Sequence, residues 1–402
     1  MTSTKPVTAA LLGSGLFATN SYLPALREVS NLHIKTVWSR SEGSASKLRA
    51  AAAELGGLPH GEATGPAVAF GDDGLASVLA DKDVHAVILV LPITAQPAII
   101  RAAWAAGKHV ISEKPLGRDV AEARALIDEW ESKYKPEGIV WRVAENYAHE
   151  PLLHYAAGLL SAPEVGDVLY YRLHFETMLP DGASYHATTW RTVPEYQGGF
   201  LLDGGVHWAA LLRTVLPTPP ASLIAHKSLH RAHMVPHDTV VALALPPAGS
   251  AVPPHGQATT VANTNNPDAL LAAGRSQANG TIILSWAIPD TPRDSRPPNE
   301  LYVVAEHATL RVVNHGRSWT VELTPGAGSP AKGAFKEGKV TGVEAELAAF
   351  GDAVRAAVDG TADAQTNFGG PRDALWDLAF IQAALGSDGA EVGIGAVAEG
   401  KA

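Results

Sequence analysis

Behind a short apolar run at 7–12 stands the turn Gly13-x-Gly15-x-x-Ala18, and a helical pattern follows at 20–29. Few folds accommodate that order. Two glycines allow a sharp strand-to-helix turn and close approach of a pyrophosphate, and the helix N-terminus adds amide donors and a favourable dipole. Leu16, Phe17 and Ala18 complete the turn, with alanine in the third small position. The pattern then repeats. Residues 32–38 read as a strand and 44–55 as an alanine-rich helix. Strands at 67–70, 85–91, 109–111 and 139–144 alternate with helices near 74–80, 96–106 and 120–134. The last helix shows Val120, Ala123, Ile127, Trp130 and Tyr134 on one face, with Asp119 placed to cap it. Strands alternating with helices require parallel crossovers. Residues 1–147 are therefore expected to form a doubly wound parallel sheet of Rossmann type, with its ligand at the carboxyl ends of the strands.

The remainder reads differently. Consecutive strands are expected at 168–176, 221–229, 239–245, 281–288, 302–306, 309–313 and 320–323, interrupted early only by a helix after Asp203. Val343, Leu347, Phe350 and Val354 mark one closing helix, and Leu375, Leu378, Phe380 and Ile381 another. Residues 148–402 are thus an expected α+β domain with a large open, mostly antiparallel sheet and helices on one face. The stretch 246–280, rich in Pro, Gly, Ala, Thr and Asn, reads as a long insertion between two strands, and 290–299 as a proline-rich loop.

Composition narrows the function classes. The chain has 402 residues, 46% of them hydrophobic and 18% charged, enough for a sizeable core. No apolar run reaches the roughly 18 residues a membrane span needs, and the N-terminus shows no secretory pattern, so a cytoplasmic location is expected. The absence of cysteine excludes disulfides and thiolate chemistry. A formal charge of −10 argues against general affinity for nucleic acid or anionic lipid.

Three stretches carry chemistry. The second strand ends in Ser39-Arg40-Ser41, where a carboxylate would be expected to hold the ribose hydroxyls of NAD(H). An arginine between two hydroxyls suits a 2′-phosphate instead, with Lys47 placed to help, so NADP(H) is expected in preference to NAD(H). Glu113-Lys114-Pro115 follows the fifth strand, which puts Glu113 and Lys114 beside the reactive ring of a cofactor. The lysine can donate to a substrate oxygen there. Finally, GGFLLDGGVH (198–207) sets Asp203 and His207 four apart, on one helical face, with Gly204 and Gly205 between them in what reads as the first helical turn. Asp203 as a helix cap is the plain reading of that stretch. A metal is not expected, because no HExxH pattern occurs and the 16 histidines are scattered. Glu145-Asn146-Tyr147 ends the sixth strand and faces the same cleft, where Tyr147 is a candidate for substrate contact. Thr189-Trp190-Arg191 precedes the glycine pair: Trp190 could stack on a sugar face and Arg191 bind an oxygen or a carboxylate. His149 reads as structural, and His186 falls in a loop expected to overhang the site.

Taken together, GSGLFA, EKP, AENY and GGFLLDGGVH resemble, in order and spacing and over nearly the whole chain, the glucose–fructose oxidoreductase/inositol dehydrogenase (Gfo/Idh/MocA) family. The resemblance implies a Rossmann domain followed by an open-faced α/β domain. It also implies hydride transfer between nicotinamide and an oxygen-bearing carbon, often in a sugar, inositol or dihydrodiol. It makes Lys114 catalytic, His207 the proton donor or acceptor, and Asp203 the residue that orients substrate or tunes the site. Pro92 and Thr94 would line the cofactor. A histidine suits the proton that an alkoxide needs near neutral pH, and the two glycines would leave room for substrate or nicotinamide. The resemblance further implies a homo-oligomer, most simply a dimer, assembled through the open sheet. The expected activity is NADP(H)-dependent oxidation or reduction of a sugar, polyol, dihydrodiol or related small carbonyl compound. A protein holding its cofactor tightly while it cycles between two substrates is one alternative. A non-enzymatic NADP(H)-binding sensor is another, which the presence of Lys114, Asp203 and His207 argues against.

Overall fold

The computed structural model describes residues 5–61, 65–184, 186–188, 191, 193, 196, 199–247, 278–361 and 369–401. Six strands form the first sheet: β1 (Val7–Leu12), β2 (Leu32–Ser39), β3 (Ala67–Phe70), β4 (Ala86–Leu89), β5 (His109–Glu113) and β6 (Trp141–Ala144). All pair in parallel, in the order β3-β2-β1-β4-β5-β6. Strand order reverses between β1 and β4, and the crevice above that reversal is where a doubly wound sheet binds its ligand. The connecting helices are α1 (Leu23–Glu28), α2 (Glu42–Glu54), α3 (Gly71–Ala80), α4 (Gln96–Ala105) and α5 (Val120–Glu129). The Asp119 carboxylate caps α5 by accepting from Glu122 N at 2.8 Å. Two helices expected to be continuous contain a π-helical turn, Ala18–Tyr22 ahead of α1 and Trp130–Tyr134 after α5.

The chain passes from β6 through a turn at Asn146–His149 into α6 (Pro151–Leu160). A second sheet follows: β7 (Val168–Glu176), β8 (Ser222–Ser228), β9 (Thr239–Leu245), β10 (Asn279–Ser285), β11 (Asn299–Ala305), β12 (Ala308–Asn314), β13 (Ser318–Pro325), β14 (Ala334–Lys339) and β15 (Glu391–Gly393). Its order is β14-β13-β12-β11-β7-β10-β9-β8-β15, antiparallel except for the β7–β10 pair. Four further helices follow among the described residues: α7 (Gly199–Val215), α8 (Gly342–Val358), α9 (Pro371–Gly386) and α10 (Ile394–Ala398). The overall class is therefore the expected α/β arrangement of a parallel Rossmann sheet and a large, mostly antiparallel one.

The differences from the sequence reading are informative. β14 was not anticipated because it is an edge strand whose residues, AFKEGK, are charged and mostly exposed rather than alternating. β15 has only three residues. The expected insertion is shorter than 246–280, since Asn279 already pairs in β10, and residues 248–277 lie outside the described residues. No helix among the described residues is long and apolar enough to cross a membrane.

Alternation along β9 shows how the second sheet is used. Val240, Ala242 and Ala244 are buried against the helical layer, whereas Val241 and Leu243 point the other way and are 51% and 41% exposed. Long-range contacts fix the two sheets to one another. The apolar stripe of α8 (Leu347, Phe350, Val354) packs into the core of the first sheet with β1 and β2. The fully buried Glu150 accepts from the first amides of that helix, Thr341 N at 3.2 Å and Gly342 N at 2.8 Å. Arg213 of α7 forks onto Asp377 of α9 at 2.9 and 2.8 Å. α7, the helix that carries Asp203 and His207, is thereby held in register.

Candidate active site

The dinucleotide turn is built from two glycines with different reasons for being glycine. Gly13 has φ +120°, and a Cβ there would lie 2.1 Å from the carbonyl oxygen of Val90. Its amide donates to Trp38 O at 2.9 Å, and Val90 N donates to Leu12 O at 2.8 Å. The protein itself therefore demands glycine at position 13. At Gly15 a Cβ would meet nothing within 4 Å. No packing within the protein requires a glycine there, and the open space above it fits the approach of a pyrophosphate. Leu16 is exposed, Phe17 half-buried and Ala18 buried.

The end of β2 lies beside this turn. Ser14 Oγ donates to Ser39 Oγ at 2.8 Å. Ser41 caps α2, accepting from Ser44 N at 3.4 Å and donating to Ser44 Oγ at 2.9 Å. Arg40 and Lys47 are exposed, and among the described residues Arg40 has no ion-pair partner. Across the sheet reversal, half-buried Pro92 and exposed Thr94 form the turn that follows β4.

β5 delivers Glu113 and Lys114, and the Lys114–Pro115 bond is cis. Glu113 turns into the fold, where it accepts from the Tyr22 hydroxyl at 2.7 Å. Burial pushes its carboxyl up to about 7, against the pull of the Lys114 ammonium. Lys114 points the other way, toward α7. Its Nζ donates to Asp203 O at 2.7 Å and to Asp203 Oδ1 at 3.0 Å. The other carboxylate oxygen of Asp203 accepts from Arg191 Nε at 2.8 Å, and Arg191 also donates to Thr188 Oγ1 at 3.1 Å. Burial works to raise the Asp203 carboxyl, but the two cations and their hydrogen bonds outweigh it and hold the group at about 2. A carboxylate bridging two cations leaves the cluster with a surplus positive charge.

One turn further along α7, His207 Nδ1 lies 2.7 Å from Glu145 Oε1. Glu145 immediately follows β6 and is 2% exposed. Its carboxyl is held below the usual carboxylate range: burial raises it, but His207, Lys114 and the Tyr147 amide together outweigh that. The Tyr147 ring stacks on the His207 ring with centroids 4.8 Å apart and 24° between planes. Its hydroxyl accepts from Asn314 Nδ2 at 3.1 Å, and burial pushes the phenol well above its ordinary value. That environment suits a wall behind His207 better than a group that exchanges protons with substrate.

Two expectations about α7 are corrected. The helix starts at Gly199, so Asp203 is not its cap and no helix N-terminus lies at Gly204. Nor do the glycines clear space for a ligand. A Cβ on Gly204 would sit 2.7 Å from Cζ2 of Trp286, and one on Gly205 would sit 2.8 Å from Cδ1 of Ile381. Each glycine costs a helix about 1 kcal/mol relative to alanine. Here that cost is offset by close packing of a helix buried on nearly all sides against β10's flank and α9. His186 is 1% exposed, with its ring 5.4 Å from His233 and 6.0 Å from Phe200. His149 is half-buried against Gly369, and burial lowers it to about 4, in keeping with a structural place. Trp190 and Gly198 lie outside the described residues. Among the described residues no three His, Cys, Asp or Glu side chains are grouped to hold a metal ion.

Lys114, Asp203, Arg191, His207 and Tyr147 thus meet at the carboxyl end of β5 and β6, on the side to which the dinucleotide turn opens. Glu145, Tyr22, Thr188 and Asn314 are partners that the sequence reading did not assign. Glu145 was within reach of it, as the last residue before a turn at the end of a strand already placed in the cleft.

Comparison with known proteins identifies the family and the fold. Residues 7–136 match the family described as "Oxidoreductase family, NAD-binding Rossmann fold", and residues 153–311 match the "GFO/IDH/MocA C-terminal domain". The chain is 30% identical to dehydrogenase FPY6 of Fusarium mangiferae over 387 residues, covering 94% of this chain and 95% of that one. It is 32% identical to D-xylose 1-dehydrogenase (NADP(+)) 2 of Haloferax volcanii over 209 residues, covering 52% and 57%. In fold it is similar to an oxidoreductase of Thermotoga maritima, with a TM-score of 0.73 at 23% identity, covering 98% of this chain and all of that one.

Proposed function

Because this chain belongs to the Gfo/Idh/MocA family of oxidoreductases, we propose that it is an NADP(H)-dependent dehydrogenase or reductase of a sugar, polyol, dihydrodiol or related small carbonyl compound. The observation that carries this reading is the meeting of Lys114 and His207 beside a glycine turn with open space over Gly15. Gly13, Gly15, Leu16, Phe17, Ala18, Pro92 and Thr94 would hold the dinucleotide. When bound, its nicotinamide supplies or accepts the hydride.

The protein's own groups handle the oxygen. An ammonium has three N–H donors, and two of those on Lys114 are directed at Asp203 O and Oδ1. The third is left for a substrate oxygen. The surplus positive charge of the Lys114–Asp203–Arg191 cluster favours an oxygen that becomes alkoxide-like, in a site where most water is excluded. His207 then carries the proton to or from that oxygen. Arg191 is proposed to fix substrate orientation through Asp203, with Tyr147 as a wall of the substrate cleft.

Arg40 supports the phosphorylated cofactor, since it stands exposed at the end of β2 with no carboxylate in that position. The NADP(+) in the name of the Haloferax relative points the same way. A fluorescence titration should show tighter binding of NADPH than of NADH, and Arg40→Asp should reverse the order by roughly tenfold or more, the loss of one charge-assisted contact to phosphate. Tighter NADH binding by the unmodified protein would overturn the preference. The same protein should turn over at least one compound in a panel of D-xylose, other aldoses, polyols and dihydrodiols. Tight cofactor binding with no turnover on any of them would shift weight to a sensor.

A second copy of the chain is proposed to cover the outer face of the second sheet. Tyr170, Val241 and Leu243 stand on that face beside Ile283 and Tyr302, and apolar surface of this kind marks an interface. Light scattering is expected to give at least twice the chain mass of 42.0 kDa. A monomer at micromolar concentration would remove this part of the reading.

A further inference from the structure

The two ionisable residues of DGGVH do not act on one another. Although Asp203 and His207 share a helical face, both oxygens of Asp203 are taken, by Lys114 and by Arg191. The carboxylate that meets His207 comes from outside the helix, from Glu145 just after β6 of the first sheet. We propose that Glu145 is the positioning residue of His207. It accepts the Nδ1–H of the ring, offers Nε2 to the reacting oxygen, and holds the imidazolium that forms there. This rests on the reading of His207 as the proton carrier.

Three observations converge on it. The contact is short, 2.7 Å, and joins a nearly fully buried carboxylate to a ring whose side chain is 21% exposed. Glu145 is itself fixed, because its Oε1 also accepts from Tyr147 N at 3.1 Å and the Tyr147 ring stacks on His207. The ring is thus held along one edge and one face, leaving Nε2 as its free polar atom. Lastly, Glu145 Oε2 is buried and has no hydrogen-bond partner among the described residues. A carboxylate with one bare oxygen in a dry place costs stability unless a cation offsets it. An imidazolium at His207 is such a cation, so its appearance during the reaction is favoured. Lys114, a second cation that acts on Glu145, has its hydrogen bonds directed at Asp203.

The proton step balances as follows in the direction of oxidation. The substrate O–H bond breaks, and its electron pair stays on oxygen to form the new C=O bond as the carbon gives up hydride to the oxidised nicotinamide. The proton bonds to Nε2, and the ring gains one positive charge. The Nδ1 proton stays on nitrogen, in its hydrogen bond to Glu145. Reduction reverses each change.

The test reads the ring first and turnover second. In full-length protein without ligand, ¹⁵N NMR of the neutral His207 ring should show the proton on Nδ1. Glu145→Leu should move it toward Nε2, Glu145→Gln and Glu145→Asp should keep it on Nδ1, because an amide or carboxylate oxygen can still accept there, and Asp203→Asn should leave it unchanged. Turnover on the responsive panel compound should fall roughly 10²-fold or more in Glu145→Gln, mostly in kcat, and recover in part in Glu145→Asp. An unchanged tautomer in Glu145→Leu, or a change produced by Asp203→Asn instead, would overturn the proposal. A moved tautomer with full turnover would overturn it by another route, by removing the proton role from His207. If Glu145→Leu fails to fold, Glu145→Ala, which also lacks an acceptor, takes its place with the same expected and overturning results.

Discussion

Lys114→Ala and His207→Ala are each expected to lower turnover roughly 10²–10⁴-fold, the usual span of a positioned acid–base group. The two losses should differ in kind. Lys114 also anchors Asp203, a carboxylate 5% exposed. Removing one partner of a buried ion pair costs about 3–5 kcal/mol when the charge is left alone, but Arg191 still reaches Oδ2 at 2.8 Å. The stability cost of Lys114→Ala should therefore stay at about 1–3 kcal/mol, and the variant should remain folded and assayable. His207→Ala leaves Glu145 buried without its ring partner, so a comparable loss of stability is expected there. Thermal melts taken beside the kinetics separate the two effects. If both variants kept near-full turnover while folded, neither residue would handle the substrate oxygen and the proposed chemistry would fail.

The second large effect concerns the two glycines of the dinucleotide turn, which should part company. Alanine at Gly13 must adopt a positive φ, at about 1–3 kcal/mol, and its Cβ would sit 2.1 Å from Val90 O, which belongs to backbone that cannot step aside as a side-chain tip could. Overpacking adds a similar amount. Together these take on the order of 3–5 kcal/mol from a fold whose whole stability is about 5–15 kcal/mol. Gly13→Ala should lower Tm by on the order of 10 °C or prevent accumulation of folded protein. Gly15→Ala should leave Tm nearly unchanged, because its Cβ meets nothing within 4 Å, yet weaken NADPH binding about tenfold or more. Equal binding by Gly15→Ala and the unmodified protein would mean that the space over Gly15 does not receive the dinucleotide. A stable Gly13→Ala would contradict the backbone account of the turn.

Local pattern made much of this legible. A turn with two glycines can be recognised in sequence because the backbone geometry it needs is available to few residues. β1 was readable because a strand buried on both faces is a short continuous apolar run, and β9, TVVALAL, was readable as another such run although only alternate residues of it are buried. The stretches with least pattern were missed, namely the charged edge strand β14 and the three-residue β15. Lys114, Asp203 and His207 were identified from motifs and their spacing. Their pairing was not, since a spacing of four on a helix brings two residues to one face without deciding which partner each one meets.

Sequence alone therefore determined the two sheets, their order along the chain and the residues able to do acid–base chemistry, because these depend on periodicity, turn stereochemistry and side-chain type within a few residues of one another. Tertiary structure decided three further things. Gly204 and Gly205 serve Trp286 and Ile381 rather than a ligand. α8, nearly two hundred residues after β6 along the chain, returns to close the core of the first sheet. Asp203 belongs to Lys114 and Arg191, while His207 belongs to Glu145. Each depends on contacts between residues far apart in the chain, where buried charges must find partners and packed surfaces must fit, and local sequence carries no record of those distances.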